Sequence, residues 1–79
     1  MDVEIYSKSN CFFCEKAKMR LQKYNPKIRI LDKDFNREEF FTKFPNAKTF
    51  PQIIIDGANV GGYYELKNWL KQNSFDEDF

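Results

Sequence analysis

Two cysteines stand two residues apart, in Cys11-Phe12-Phe13-Cys14, and both flanks carry a folding signal. Before them, Val3 and Ile5 alternate with polar Glu4 as in a half-buried strand, and Ser7-Lys8-Ser9-Asn10 interrupts as a turn. After them, Phe13, Ala17, Leu21 and Tyr24 recur at helical spacing, with Lys16, Arg20 and Lys23 on another face. An amphipathic helix is therefore predicted from about residue 12 to residue 24. The cysteines open this helix at the end of a strand. The thiolate is the reactive form of cysteine, and an ordinary thiol is mostly protonated at neutral pH. Unpaired backbone N–H groups and the helix dipole favour a negative charge at a helix N-terminus. Cys11 is predicted to sit there as a nucleophile, with Lys8 adding positive potential. Cys14, one turn further in, is predicted to be more sheltered and to act as the resolving thiol. Three other readings exist: a structural disulfide, half of a zinc site shared by two chains, and two buried core cysteines. A reducing compartment disfavours the first, and polar Asn10 and Glu15 beside the pair disfavour the last.

The remaining composition closes off most other classes. A chain of 79 residues makes one small domain, 1–79. Nine Phe, four Tyr and one Trp give it large apolar surfaces to bury. A net charge of +1 argues against general nucleic-acid binding. No His is present, which excludes His-based acid–base catalysis and, with two Cys, a four-ligand Cys/His zinc site within one chain. No resident metal is expected. No stretch approaches the roughly 18 apolar residues of a membrane span. Met1 to Tyr6 lacks a basic start followed by an apolar run, so no signal peptide is expected. Two cysteines are too few for a secreted disulfide scaffold, and a cytoplasmic location is expected.

Further along, Asn25-Pro26 stops the first helix, because the residue before proline avoids helical geometry. Ile28, Ile30 and Leu31 suggest a second strand. Asn36 and Glu39 have capping-box spacing ahead of Phe40, Phe41 and Phe44, a short helical face closed by Pro45-Asn46. Gln52 to Ile55 reads as a third strand, Asp56-Gly57 as a turn, and Asn59 to Gly61 as a returning fourth strand. Leu66, Trp69 and Leu70 mark a last helix with Trp69 in the core. The acidic tail, about residues 74–79, is expected to fray. Lys16, Arg20, Lys23 and Lys27 form a stripe that would suit an acidic partner but reads first as a solvated helix face. The order β-α-β-α-β-β-α implies one parallel pairing through a helix and one late antiparallel hairpin. The fold class is α/β, with a four-stranded mixed sheet flanked by three helices. A cysteine pair in this setting reads as a thioredoxin-like redox motif.

These residues bring a family into view. Tyr6 to Ala17, with Cys11-Phe12-Phe13-Cys14 inside it, resembles the active-site segment of the glutaredoxins. Thr49-Phe50-Pro51-Gln52-Ile53 resembles their Thr-Val-Pro segment, and Gly61-Gly62-Tyr63-Tyr64-Glu65-Leu66 their Gly-Gly segment before the last helix. The resemblance spans nearly the whole chain. It implies a thioredoxin fold, a cis peptide before Pro51, and glutathione as the reducing co-substrate. It also implies a monomeric oxidoreductase that reduces protein disulfides and glutathione mixed disulfides.

By the same resemblance, Lys8 meets the glycyl carboxylate of glutathione, and Thr49, Phe50 and Pro51 line its cysteinyl part. Phe13 supplies an aromatic wall, and Tyr63, Tyr64 and Glu65 receive the γ-glutamyl end. Each residue also has a plainer role: Lys8 a solvated lysine, Thr49 a strand former, Pro51 a strand start, Glu65 a charge on the helix dipole. The chain departs from the family pattern at three places. Phe12 and Phe13 replace a common Pro and Tyr, Tyr64 replaces a small polar residue or Asp, and Glu65 lengthens a common Asp. Two alternatives follow from relatives. One is a dimer holding an iron–sulfur cluster through Cys11 of each chain and two glutathiones. The other is a redoxin reduced by thioredoxin reductase. Ribonucleotide reductase is a protein substrate for either redoxin type, and no residue here identifies it.

Overall fold

Alternation along two central strands decides which helix covers which face of the sheet. The computed structural model describes residues 1–73, so the acidic tail expected to fray lies outside the described residues. Strand β1 (Val3–Ser7) leads into α1 (Phe12–Leu21), a short 3₁₀ turn (Gln22–Tyr24) and β2 (Lys27–Ile30). Helix α2 (Arg37–Lys43), β3 (Gln52–Ile55), β4 (Ala58–Gly61) and α3 (Tyr63–Gln72) follow. The sheet order is β2-β1-β3-β4, with β1 parallel to β2 and antiparallel to β3. The α/β mixed sheet with three helices is the one expected.

Because side chains along a strand point to opposite faces, β1 and β3 each feed two cores. Val3 and Ile5 join Ile53 and Ile55 on one face, where Ala17 and Leu21 of α1 and Leu66 and Leu70 of α3 cover them. Tyr6 and Ile54 point the other way, into an aromatic cluster of Phe35, Phe40 and Phe44. Among the described residues, the rings that are neither exposed nor packed on the first core collect in this second cluster, with Phe50 against it.

The local signals explain the ends. Asn36 accepts a hydrogen bond from the Glu39 N–H at 2.8 Å, and Glu39 accepts from the Asn36 N–H at 2.9 Å, completing the capping box. Phe40 and Phe44 are buried, while Phe41 faces outward. Asp56 (φ 50°) and Gly57 (φ 83°) both take the left-handed conformations that a tight hairpin turn requires. The first helix ends sooner than its apolar spacing suggested. After Leu21 the chain tightens, and Asn25 at φ 51° donates its N–H to the Gln22 carbonyl at 3.1 Å. Pro26 keeps Asn25 out of a continuing helix. Trp69 is half-buried against the first core instead of inside it. On the outer strand pair, Glu4 accepts a 3.0 Å bond from Arg29 and raises the guanidinium pKa. The described residues include no helix long and apolar enough to cross a membrane.

Candidate active site

The end of β1 delivers the chain to the site through Asn10, whose φ of 55° lies in the left-handed region that Asn tolerates. Cys11 follows in extended geometry as the N-cap of α1. Its sulfur takes the place of the usual capping oxygen, accepting from the Cys14 N–H at 3.2 Å. A negative charge on this sulfur would therefore gain a backbone donor as well as the helix dipole. The two cysteines are joined as a disulfide, with Cα atoms 5.2 Å apart. Cys14 is fully buried in the first turn of α1, and Cys11 is partly exposed. Cys11 is therefore the more reachable of the two sulfurs.

Across from Cys11 lies the Phe50-Pro51 segment, joined by a cis peptide bond. The Phe50 carbonyl oxygen is 3.9 Å from the Cys11 sulfur. The Phe50 ring anchors this segment in the second core, stacked on Phe40 at 4.5 Å and on Phe35 at 6.3 Å. Gln52 donates its side-chain amide to the Thr49 carbonyl at 2.9 Å and braces the same turn. Lys8 reaches over the Phe50 ring, its ammonium 5.8 Å from the centroid. The cation is thus placed beside the cysteine-facing segment.

The start of α3 closes the other side. Gly61 adopts φ 118°, and Gly62 then begins the helix. A Cβ on Gly62 would stand 3.1 Å from Glu65 Oε1, and in ordinary contact with the Pro51 carbonyl at 3.5 Å and the Thr49 hydroxyl at 3.7 Å. The start of α3 therefore packs against the Thr49-Phe50-Pro51 segment. Glu65 accepts the Gly62 N–H at 2.8 Å. Phe13 bridges the two helix ends, its ring 5.5 Å from Tyr63 and 5.7 Å from Tyr64.

The residues predicted from sequence lie on three neighbouring segments: Lys8, Phe13 and Cys14 along the chain from Cys11, Thr49, Phe50 and Pro51 in the segment whose Phe50 carbonyl faces the Cys11 sulfur, and Tyr63, Tyr64 and Glu65 at the start of α3. Two present different groups than their side chains suggested. The Tyr63 ring is buried in the first core and supports Phe13 instead of standing open to a ligand. One oxygen of Glu65 is engaged in capping its own helix. Sequence reasoning overlooked Lys16, read as part of a solvated stripe. Its ammonium stands 5.4 Å from the Phe12 ring and 5.2 Å from the Tyr63 ring. The signal was the Phe12-to-Lys16 spacing of four on a helix. It also overlooked Asn46, Lys48 and Asn59, which line a groove of about 410 Å³ beside Thr49, Gly62 and Glu65. Among the described residues, no cluster of three or more His, Cys, Asp or Glu side chains is placed to hold a metal ion.

The glutaredoxin family model matches residues 3–60, well over half of the chain. The chain belongs to the glutaredoxin family. It is 35% identical over 78 residues to glutaredoxin 1 of Rickettsia prowazekii (strain Madrid E), covering 92% of this chain and 81% of that protein. It is 36% identical over 67 residues to glutaredoxin 3 of Escherichia coli (strain K12), covering 82% of this chain and 81% of that protein. Its fold superposes on the solution structure of reduced Escherichia coli glutaredoxin with a TM-score of 0.80 at 25% identity, covering 96% of this chain and all of that one. The thioredoxin-like architecture expected from the resemblance is therefore the observed one. As a glutaredoxin, the chain is a thiol–disulfide oxidoreductase, and Cys11 with Cys14 gives it the dithiol form of the site.

Proposed function

We propose that this glutaredoxin is glutathione-dependent and reduces both protein disulfides and glutathione mixed disulfides. One observation supports the reading: Cys11 is partly exposed, and the segments beside it carry groups suited to each part of glutathione. Lys8 offers a cation for the glycyl carboxylate. The backbone of Phe50, beside Pro51, offers a short main-chain rung to the cysteinyl part. The first-turn N–H groups of Tyr63 and Tyr64 suit the γ-glutamyl carboxylate. Gly62 has no side chain with which to cap them. The Glu65 oxygen not bonded to Gly62 is assigned to the ligand amine.

The cycle moves two electrons. The Cys11 thiolate attacks one sulfur of a protein disulfide, forms a mixed disulfide with it and expels the other as a thiolate. The Cys14 thiolate then attacks the Cys11 sulfur, releases the second protein thiolate and leaves Cys11 bonded to Cys14. Burial of Cys14 on the inner face of α1 keeps it from outside partners while leaving it one turn from its target. Two glutathione molecules restore the dithiol and leave as oxidised glutathione. With a glutathionylated substrate, Cys11 takes up the glutathione and a second glutathione releases it, so Cys14 is bypassed. Glutaredoxin potentials of about −200 to −230 mV place such a cycle within reach of the glutathione pool.

The test is turnover of a glutathione mixed disulfide coupled to glutathione reductase and NADPH. The parent protein is expected to turn over. Lys8→Ala is expected to raise the KM for glutathione about three- to tenfold, the effect of one partly exposed charge-assisted bond. Absence of turnover by the parent, or a KM unmoved by Lys8→Ala, would reject the reading or its Lys8 assignment respectively.

A further inference from the structure

Of three exposed aromatic residues beside Cys11, the glutathione reading uses the Phe13 ring and the Tyr64 backbone and leaves Phe12 and the Tyr64 ring without a role. Phe12 is 71% exposed, Tyr64 62% and Phe13 37%. They are a continuous surface, not scattered rings. Phe12 packs edge-on against Phe13 at 5.4 Å, and Phe13 lies 5.7 Å from Tyr64. The surface is held firmly from below, because Phe13 and Tyr64 both pack on buried Tyr63 at 5.5 and 5.6 Å. Lys16 closes one rim with its ammonium 5.4 Å from the Phe12 ring. A contiguous exposed apolar patch on a small domain marks an interaction surface.

Covalent geometry says what lands on it. Phe12 directly follows the attacking cysteine. A disulfide under attack is bonded to Cys11, and residues next to its cysteine lie only about 3.8 Å away along their own chain. Their side chains are therefore held within reach of Phe12, which is bonded to Cys11, and of the Phe13 and Tyr64 rings packed beside it. Glutathione has no apolar side chain on either side of its cysteine, so it cannot fill this shelf. We propose that Phe12, Phe13 and Tyr64 form a specificity surface for protein disulfides whose reacting cysteine is flanked by an apolar, preferably aromatic, side chain. The inference rests on Cys11 as the attacking sulfur, and its test contains no glutathione.

Two synthetic peptides serve as probes, Gly-Phe-Cys-Phe-Gly and Gly-Ser-Cys-Ser-Gly, each as a disulfide-linked homodimer. The reduced protein is mixed with each in a single turnover, and released peptide thiol is counted after an acid quench. One protein dithiol becomes the Cys11–Cys14 disulfide, and one peptide disulfide becomes two thiols. Each rate is divided by the rate of the same peptide with dithiothreitol, which has no shelf and removes intrinsic reactivity. The parent is expected to prefer the aromatic peptide about five- to tenfold, the scale of one aromatic contact plus its burial. Phe12→Ala and Tyr64→Ala are each expected to cut that ratio at least in half, and a ratio taken within one variant cancels any change in Cys11 reactivity. Equal normalised rates in the parent, or a preference unmoved by both substitutions, would overturn the proposal. Equal rates together with dimerisation that Phe12→Ala abolishes would assign the shelf to a second copy and also overturn it. No reduction of either peptide would overturn both the shelf and the Cys11 chemistry beneath it. The expected preference in a protein that fails to turn over with glutathione would keep the shelf and reject the glutathione reading.

Discussion

Replacing Glu65 by Ala separates two jobs that one carboxylate performs at the start of α3. Its Oε1 accepts the N–H of buried Gly62 at 2.8 Å. A hydrogen bond to a charged group contributes about 1.5–3 kcal/mol when sheltered. The Glu65 side chain is itself exposed, which lowers that figure. Interaction with the helix dipole adds about 0.3–1 kcal/mol. A net loss of about 1.5 kcal/mol follows, within the range measured for helix caps. For a domain of this size that is a fall in Tm of about 6–12 °C. Glu65→Gln keeps an acceptor oxygen and loses only charge, so about half that fall is expected. The assay is thermal unfolding of the reduced protein, repeated as a urea titration in which the midpoint shifts and the slope does not. If the second oxygen also meets the glutathione amine, Glu65→Gln raises the KM for glutathione by more than its stability loss explains. A Tm for Glu65→Ala within about 1 °C of the parent would refute the capping argument.

Gly61 and Gly57 make a contrasting pair. Gly61→Ala is expected to cost about 2 kcal/mol or more, because φ is 118° and the new Cβ would stand 2.9 Å from Glu65 Cβ and Cγ. Gly57→Ala meets nothing within 4 Å, so only backbone strain at φ 83° remains and about 1 kcal/mol is expected. Urea midpoints rank the two, and an equal cost would contradict the steric assignment at Gly61. Asn36→Ala removes the 2.8 Å cap on α2 and is expected to cost about 1 kcal/mol by the same titration. Glu4→Gln breaks the Arg29 pair, whose side chains are 26% and 41% exposed, and is expected to change stability by less than about 1 kcal/mol.

Features set by short-range chemistry were readable in the chain. The capping box at Asn36 and Glu39, the Asp56-Gly57 turn and the strand at Gln52–Ile55 each depend on residues a few positions apart. The helix opened by Cys11 belongs with them. Features that depend on which face an element buries were less so. Phe13 lies at helical spacing with Ala17 and Leu21, yet stands over the start of α3 instead of entering the core, because Tyr63 already fills the space beneath it. Phe41 and Phe40 are neighbours of the same type, and only the register of α2 over the sheet exposes one and buries the other. Glu65 carried two readings, and choosing the cap required knowing that the Gly62 N–H points back at it. The family motifs located Phe50-Pro51 opposite the cysteines. That Phe50 is anchored through Phe40 and Phe35 depends on contacts among residues far apart in the sequence, which no local pattern announces.

In the proposed cycle the Cys11 sulfur bonds glutathione while Cys14 only resolves. Cys14→Ser leaves Cys11 as the single cysteine, so any adduct is unambiguous in position. The measurement is the intact mass of that variant after incubation with oxidised glutathione, followed by addition of reduced glutathione. One glutathione per chain is expected on Cys11, removed again by the second step, together with retained turnover of the small mixed disulfide. A Cys11 that stays free under oxidised glutathione, while still reacting with a peptide disulfide, would contradict it.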